Sequence, residues 1–303
     1  MNDTRTILGM DIGGTNMRSA FVDAACNVEE LKIDKTAEIL VGNNVPDKLA
    51  AYTADLLEKR TTLPLAITIG LPSTIDRTNR IVYSTPNIKG LDNVDIASRI
   101  EALCTIPVYV VRDVCLLLLY DIYDNNLKKD GFILGFYIGT GFGNALCLDG
   151  RIYTGRHGVA GELGHIPAFG KTDPCGCGNS GCIELYASGK RLVEIRDTCF
   201  PGMSFDCLLE NNCEHPAITE FIETLAQGIA SEITILDPEE IILGGGVIAQ
   251  KGFPRKQLEQ AIQKYTRKPY PAHDLRFIYS KESGENGIIG AGIFGFQKQQ
   301  KNT

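Results

Sequence analysis

Short apolar runs alternate with longer amphipathic stretches along most of the chain. Runs with the length and composition of buried strands cover residues 6–11, 17–23, 65–70, 108–111, 132–138, 144–149, 240–243 and 275–279. Stretches of helical length and spacing cover residues 46–59, 94–104, 114–120, 188–196, 217–236, 255–264 and 286–296. The pattern predicts an α/β protein in which strands and helices alternate.

Two segments of this pattern match each other. Residues 12–23 and 138–149 each contain the end of one strand, a glycine-rich turn and a second strand, and the two segments have equal length, so the hairpins are expected to align without a gap. Glycine occupies the same first position of both turns, as Gly13 and Gly139. The match predicts an internal duplication of a β-hairpin. The alternative is that any two β-hairpins look alike.

The composition indicates a two-domain protein of the cytoplasm. The chain has 303 residues, of which 44% are hydrophobic, so it can bury a sizeable core. No apolar run approaches the roughly 20 residues that cross a bilayer, and residues 1–6 are polar, unlike a signal peptide. The net charge of −7 argues against a nucleic-acid partner. We expect a first domain of residues 1–115, joined by the C-terminal helix at about 286–303, and a larger domain of residues 116–285.

The densest chemistry of the chain lies between residues 162 and 184. A Glu-x-Gly-His turn, Glu162 to His165, precedes Cys175, Cys177 and Cys182. One imidazole and three thiolates form the ligand set of a closed tetrahedral Zn2+ site. The residues expected to supply turns with positive φ are Gly176, Gly178, Asn179 and Gly181. The spacing predicts a zinc site, and the alternative is a group of buried, reduced thiols.

Three glycine-rich turns each follow a predicted strand. They are Gly13-Gly14-Thr15 after Asp11, Gly139-Thr140-Gly141, and Gly244-Gly245-Gly246. Glycine lets a phosphate approach the backbone closely, so the set could hold a nucleotide, with two turns at the phosphates and the third at the nucleoside. The chain has neither a Walker A sequence nor a Gly-x-Gly-x-x-Gly that opens a helix. For any single turn, a tight hairpin that merely requires glycine is the alternative.

Asp113 comes just after the predicted strand at 108–111 and opens an apolar helix. A carboxylate there lies at the C-terminal edge of the sheet, where open α/β proteins place their sites. With an ordinary pKa of ~3.9 it is ionised at neutral pH and could deprotonate a hydroxyl nucleophile. A helix N-cap is the alternative role.

Together these residues resemble the ROK sugar kinases. That family combines an Asp-x-Gly-x-Thr turn, a catalytic Asp, a Glu-x-Gly-His motif and a Cys-x-Cys-Gly-x-x-Gly-Cys-x-Glu zinc loop, and the match runs in order over nearly the whole chain. The resemblance implies a two-domain, actin-like ATPase fold of the RNase H type with an interdomain cleft. It also implies a hexose kinase that uses ATP and Mg2+, with a structural Zn2+. Dimers are common in the family, so a homodimer is expected.

The resemblance assigns a role to each candidate residue, with Asp113 as the catalytic base. The residues expected to bind the sugar are Asn87, Arg112, Asp113, Glu162, His165 and Glu184. Those expected to bind ATP are Asp11, Gly13, Gly14, Thr15, Asn16, Gly139, Thr140, Gly141, Gly245 and Gly246. Those expected to hold zinc are His165, Cys175, Cys177 and Cys182. A zinc-bound His165 would turn its other ring nitrogen toward a sugar hydroxyl.

Arg112 departs from the family pattern, because most members have Asn immediately before the catalytic Asp. An arginine that contacts the substrate would change which hydroxyl pattern is accepted, whereas a surface arginine would change nothing. The sequences Arg112-Asp113-Val114, Ser84-Thr85-Pro86-Asn87 and Tyr153-Thr154-Gly155 look most like D-allose kinases within the family. The favoured reaction is therefore phosphorylation of the 6-hydroxyl of D-allose. The alternatives within the family are a glucokinase or an N-acetylmannosamine or fructose kinase.

Two further classes differ from a kinase. The family includes sugar-responsive transcriptional regulators, which carry a helix-turn-helix module ahead of the first phosphate turn. Only ten residues precede Asp11, and this spacing disfavours a regulator. A non-catalytic sugar-binding protein with a structural zinc is disfavoured by Asp113 and by the three glycine turns.

Overall fold

The computed structural model describes residues 5–58 and 60–301. Residues 1–4 of the polar N-terminus, Lys59 of the predicted helix at 46–59, and residues 302–303 of the predicted C-terminal segment lie outside the described residues. Within the described ranges, no helix combines the length and the apolar composition required to cross a membrane.

The described strands and helices follow the predicted alternation, with several short additions. The strands are β1 (Thr6–Ile12), β2 (Asn16–Asp23), β3 (Val28–Lys35), β4 (Ala66–Leu71), β5 (Thr74–Ile75), β6 (Ile81–Ser84), β7 (Val94–Asp95), β8 (Val108–Arg112), β9 (Phe132–Ile138), β10 (Phe142–Leu148), β11 (Arg151–Ile152), β12 (Glu240–Gly244) and β13 (Phe277–Tyr279). The α-helices are α1 (Thr36–Ile39), α2 (Val45–Glu58), α3 (Ile96–Cys104), α4 (Asp113–Asp124), α5 (Gly189–Cys199), α6 (Pro216–Leu236), α7 (Arg255–Tyr265) and α8 (Asn286–Lys301). Short 3-10 turns cover Leu163–His165, Ile183–Leu185 and Phe205–Cys207.

The chain divides into two compact units. The first comprises Met1–Leu127, Thr154–Ala160 and Ser283–Thr303, and the second comprises Lys128–Tyr153 and Gly161–Glu282. The sequence prediction placed the boundary near residue 115, whereas this division places it after Leu127. The difference is α4, which packs against α8 in the first unit.

The first unit is built on a five-stranded sheet with the order β3-β2-β1-β4-β8. Strand β1 is antiparallel to β2 and parallel to β4, and β4 is parallel to β8. Apolar side chains of β1 and β4 form a core with α2 and α3; Leu8, Ile67 and Ile69 are fully buried in it. The unpredicted strand β3 lies at the sheet edge and is largely exposed, so it lacks the apolar alternation by which a strand is recognised.

The second unit repeats this topology in a sheet with the order β11-β10-β9-β12-β13. Strand β9 is antiparallel to β10 and parallel to β12, and β12 is parallel to β13. The repeated order and directions agree with the predicted duplication. The hairpins do not align without a gap, however: Ile12 pairs with Met17, whereas Ile138 pairs with Phe142, so the second turn is one residue shorter.

Helix α8 packs closely on its neighbours through small residues. A Cβ atom built on Gly290 would overlap the Leu116 carbonyl oxygen of α4. A Cβ on Gly287 would lie 2.7 Å from the Asp11 carboxylate, and one on Gly295 would lie 2.7 Å from Ile7. The glycines therefore allow α8 to approach both α4 and β1.

Gly290→Ala should destabilise the first unit. Alanine gains up to about 1 kcal/mol over glycine from helix propensity, but forcing a methyl group against a backbone carbonyl in a packed interface costs about 1–3 kcal/mol or more, so the clash dominates. We expect a lower Tm by scanning calorimetry. Gly284→Ala is the matched control, because its Cβ would meet only Arg18 Nε at 3.9 Å. Equal Tm values for the two variants would contradict the close packing of α8.

Candidate functional site

The first unit places the first glycine turn beside Asn87. Gly13 N donates to Asn16 O at 2.9 Å, which closes the turn between β1 and β2. Gly14 and Thr15 are exposed at its tip. A Cβ on Gly14 would lie 3.4 Å from Asn87 Cβ, so the predicted phosphate turn and the predicted sugar-binding asparagine are neighbours.

Thr36 braces this turn and was not identified from the sequence. Its hydroxyl donates to Gly13 O at 2.7 Å, and its N–H donates to Thr15 O at 3.0 Å. The preceding Lys35 donates from Nζ to Asn16 Oδ1 at 2.9 Å. Both residues lie at the junction of β3 and α1, which the hydrophobic pattern missed. The sequence therefore contained no signal that would have linked Thr36 to the turn.

Asp113 is the first residue of α4 and lies near Asp11. Arg112, not Asp113, occupies the N-cap position, so the structure excludes the N-cap alternative for Asp113. Asp113 Oδ1 accepts from Val114 N at 2.8 Å. Burial raises the pKa of Asp113, while the neighbouring Arg112 charge lowers it. Burial, followed by the charge of Asp113, raises the pKa of Asp11 to about 6.

The second unit brings Glu184 against the second glycine turn. Glu184 Oε2 accepts from Phe142 N at 2.8 Å, and a Cβ on Gly141 would overlap that carboxylate. The first amide of α5 donates from Gly189 to Gly139 O at 2.8 Å. The third glycine turn is adjacent, because a Cβ on Gly245 would lie 2.6 Å from backbone atoms of Ile138. Gly245 has a φ of 90°, which a side chain rarely tolerates.

Glu162 is the N-cap of the 3-10 turn that carries His165, and Glu184 lies on an adjoining 3-10 turn. His165 N donates to Glu162 O at 2.9 Å, and His165 Nε2 lies 3.8 Å from Glu162 Oε2. A Cβ on Gly164 would lie 3.5 Å from Glu184 Cβ, which joins the turn of Leu163–His165 to that of Ile183–Leu185. The three residues predicted to bind sugar in this unit are thus brought together.

Four side chains near these turns could hold a metal ion. The ligand atoms of His165, Cys175, Cys177 and Cys182 all lie within 4.8 Å of one another. His165 Nδ1 is 3.7 Å from Cys175 Sγ, and Cys177 Sγ is 3.6 Å from Cys182 Sγ. A tetrahedron with ~2.3 Å Zn–S bonds has edges of roughly 3.8 Å, so the spacing and the donor chemistry fit Zn2+.

The loop that carries these cysteines is a small hairpin. Pro174 pairs with Ser180, and Cys175 N donates to Asn179 O at 2.8 Å. Gly178 and Gly181 have the predicted positive φ, at 95° and 73°. Gly176 and Asn179 are not in that conformation, so this part of the prediction was wrong. Within the paired hairpin, Gly178 and Gly181 are the two positions that adopt a positive φ.

Burial raises the pKa of Cys182 to about 12. Without a cation this sulfur keeps its proton at neutral pH, because a buried thiolate is poorly solvated. Binding of a divalent ion would reverse this preference and release the proton. The cluster is therefore chemically suited to a metal, and the remaining cysteines are outside it.

The candidate residues are divided between the two units. The first unit holds Asp11, the turn at 13–16, Asn87, Arg112 and Asp113. The second holds the remaining candidates: Gly139, Thr140, Gly141, Glu162, His165, Cys175, Cys177, Cys182, Glu184, Gly245 and Gly246.

Comparison with known proteins gives consistent matches over the whole chain. A family model described as ROK family matches residues 7–297. An N-acetyl-D-glucosamine kinase of Aliivibrio salmonicida is 30% identical over 310 residues, which cover 93% of this chain and 97% of that protein. A glucokinase of Halalkalibacterium halodurans is 26% identical over 324 residues, which cover 99% of this chain and 97% of that protein.

Solved structures with the same fold include kinases and a regulator. A ROK hexokinase from Thermus thermophilus has a TM-score of 0.80 at 23% identity and covers 98% of this chain and 99% of its own. A ROK family transcriptional regulator, a homolog of the E. coli MLC protein, has a TM-score of 0.81 at 23% identity and covers 97% of this chain and 78% of its own. The predicted actin-like α/β fold is confirmed by these likenesses.

Proposed function

The chain belongs to the ROK family, and from that premise we propose that it is an ATP-dependent hexose kinase that phosphorylates the 6-hydroxyl of an aldohexose. The observation that carries the proposal is the position of Asp113, a carboxylate at the carboxyl end of β8 in the unit that also places Gly14 against Asn87. The curated relatives named above are sugar kinases that align over nearly all of this chain.

Asp113 is the proposed general base. Burial raises the pKa of its carboxyl, which strengthens it as a proton acceptor, and the Arg112 charge opposes that shift and favours the ionised form. Phosphoryl transfer has a loose transition state, so most of the rate enhancement comes from positioning and charge neutralisation. Asp113 would orient the 6-hydroxyl and accept its proton.

The glycine turns are the proposed ATP site. The turns at 13–16 and 139–141 present the exposed residues Gly14, Thr15 and Thr140, whose backbone amides could contact phosphates, and Gly245 and Gly246 would adjoin the nucleoside. Mg2+ bound together with ATP would neutralise part of the phosphate charge. The pKa of Asp11 is raised to about 6, and a nearby cation would favour its ionised form.

Zinc is proposed as a structural ion. His165 directs Nδ1 toward Cys175 and leaves Nε2 on the side of Glu162. A metal on Nδ1 would fix the ring and its tautomer, so that Nε2 could hydrogen-bond a sugar hydroxyl. Four protein ligands leave no open position for a catalytic water.

D-allose is the proposed preferred substrate, on the strength of the three short sequences around Asn87, Arg112 and Thr154. Glucose and the N-acetylhexosamines are the alternative substrates, because the relatives of this chain include kinases named for those sugars. The cytoplasmic location and the homodimer stay predictions.

A panel of hexoses tests the substrate assignment. We expect kcat/KM with MgATP to be highest for allose, compared with glucose, mannose, fructose, N-acetylglucosamine and N-acetylmannosamine. A site built from hydrogen-bonding carboxylates should reject poorly matched hydroxyl patterns strongly, by up to about 10^4-fold. A higher value for glucose or an N-acetyl sugar would replace allose within the proposal, and no turnover with any hexose would refute the kinase itself.

A further inference from the structure

Residues 154–160, which we call the strap, belong to the first unit, although the residues on both sides of them belong to the second. The strap closes on itself, since Ala160 N donates to Thr154 O at 3.0 Å. A Cβ on Gly155 would lie 3.2 Å from Ala160 Cβ, which shows how compact the loop is. Such a loop can move as one body when its attachments are released.

Among the described residues, contacts at Gly158 and at Ala160 attach the strap to the first unit. At one, Gly158 has a φ of 86° and packs so closely that an added Cβ would overlap the Ile75 carbonyl oxygen and lie 2.7 Å from Asp76 C. At the other, Arg112 Nη1 donates to Ala160 O at 2.7 Å. Arg112 is only 9% exposed, so this charged hydrogen bond forms largely away from solvent.

The residues after the strap lead directly into the proposed sugar site. Ala160 is followed by Gly161 and then by Glu162. Gly161 has a φ of 83°, and a Cβ on it would lie 2.8 Å from Asn144 O of β10. Ala160, whose carbonyl Arg112 holds, is therefore only two residues before Glu162 in the sequence.

We propose that Arg112 is a positioning residue: it holds the Ala160 carbonyl, and thereby fixes the strap that sets the position of Glu162, instead of contacting the sugar hydroxyls. This inference rests on the proposed kinase function. It gives a role to Arg112, the residue that departs from the family pattern. Sugar affinity would then depend on the strap as a unit.

A double-mutant cycle separates this role from direct sugar contact. Arg112→Met removes the hydrogen bond, and Gly158→Ala releases the other attachment without touching the arginine. We expect each to raise the sugar KM by about 10- to 100-fold, with the KM for ATP nearly unchanged, because a misplaced binding group costs on that order. The sugar KM of the double variant should be no higher than that of the more impaired single variant, because both substitutions release the same element. Arg112→Lys should restore part of the affinity, since an ammonium can donate to the carbonyl.

Direct contact predicts a different result. Gly158→Ala would then leave the sugar KM unchanged, or its effect would multiply with that of Arg112→Met, and either outcome overturns the proposal. Arg99→Met is the control, because it removes an exposed arginine whose ion pair with Asp47 is on the surface of the same unit. It should leave both KM values as in the wild type.

Hydrogen exchange of the strap amides provides a readout that does not depend on activity or on Gly158→Ala folding. Arg112→Met should raise exchange at residues 154–160 by about tenfold or more, while Arg99→Met should not. Unchanged exchange in Arg112→Met would overturn the assignment of Arg112, whatever the activity. A wild-type protein that phosphorylates no hexose, combined with faster strap exchange in Arg112→Met, would refute the kinase proposal and support the attachment of the strap by Arg112.

Discussion

Asp113→Asn is expected to lower kcat by about 10^2- to 10^4-fold while the sugar KM changes little, because asparagine keeps the shape of the side chain but cannot accept the hydroxyl proton. Asp113 opens α4, and its Oδ1 already accepts from Val114 N, so an amide oxygen can preserve that local contact. The loss should therefore fall on the chemical step. Initial rates at saturating sugar and ATP, together with a binding titration of the sugar, give the two quantities.

The same substitution should not weaken the fold, which separates lost chemistry from unfolding. Burial raises the pKa of Asp113 in the folded protein, so folding favours the protonated carboxyl. The stability that this group contributes is present at low pH and is lost as the pH rises through its folded pKa. At neutral pH the asparagine variant avoids that cost, so its Tm should equal or exceed that of the wild type. Asp124→Asn, an exposed carboxylate on the same helix, should retain wild-type kcat. Wild-type turnover by Asp113→Asn would remove this residue from the mechanism.

Cys182→Ser is expected to abolish zinc binding and to lower kcat/KM for the sugar by about 10- to 100-fold or more. Cys182 is fully buried, and its sulfur lies 3.6 Å from that of Cys177, another residue of the proposed ligand set. It is also two residues before Glu184, which accepts from Phe142 N beside the second glycine turn. Loss of the ion should therefore disturb His165 and Glu184 together.

Metal content and stability can be measured on the same samples. Elemental analysis of the wild type should find about one zinc per chain, and Cys182→Ser should have almost none and a lower Tm, because metal binding contributes to folding free energy. Cys199→Ser changes an exposed thiol outside the cluster and should behave as the wild type. A metal-free wild-type protein with full activity, or a Cys182→Ser variant that matches the control, would contradict the structural role of zinc.

The long elements were predictable because their periodicity is strong. The α6 face of Ile218, Phe221, Ile222, Leu225 and Ile229 is buried as its helical spacing indicates. Strand β3 and the short strands β5 to β7 were missed, because exposed or two-residue strands carry little alternation. The boundary near residue 115 was misplaced for a different reason: the packing of α4 on α8 joins segments that are far apart in sequence.

The group of His165 and three cysteines was predictable because its members are close in sequence. The contacts that hold the candidate site join residues that are far apart in sequence, so they were not predictable. Glu162, His165 and Glu184 follow from one dense motif. The hydroxyl of Thr36 on the Gly13 carbonyl joins residues 23 positions apart, and the Arg112 bond to Ala160 joins residues 48 positions apart. Spacing along the chain gives no information about such contacts. The resemblance to the family supplied the candidate residues, and the structure shows the contacts that hold some of them.

The product that the purified protein forms from MgATP and D-allose tests the proposed kinase activity directly. We expect one ADP for each sugar phosphate, with the phosphorus-31 signal of the product coupled to the two protons on carbon 6. ADP release that does not depend on sugar, or a phosphate on a different hydroxyl, would contradict this expectation.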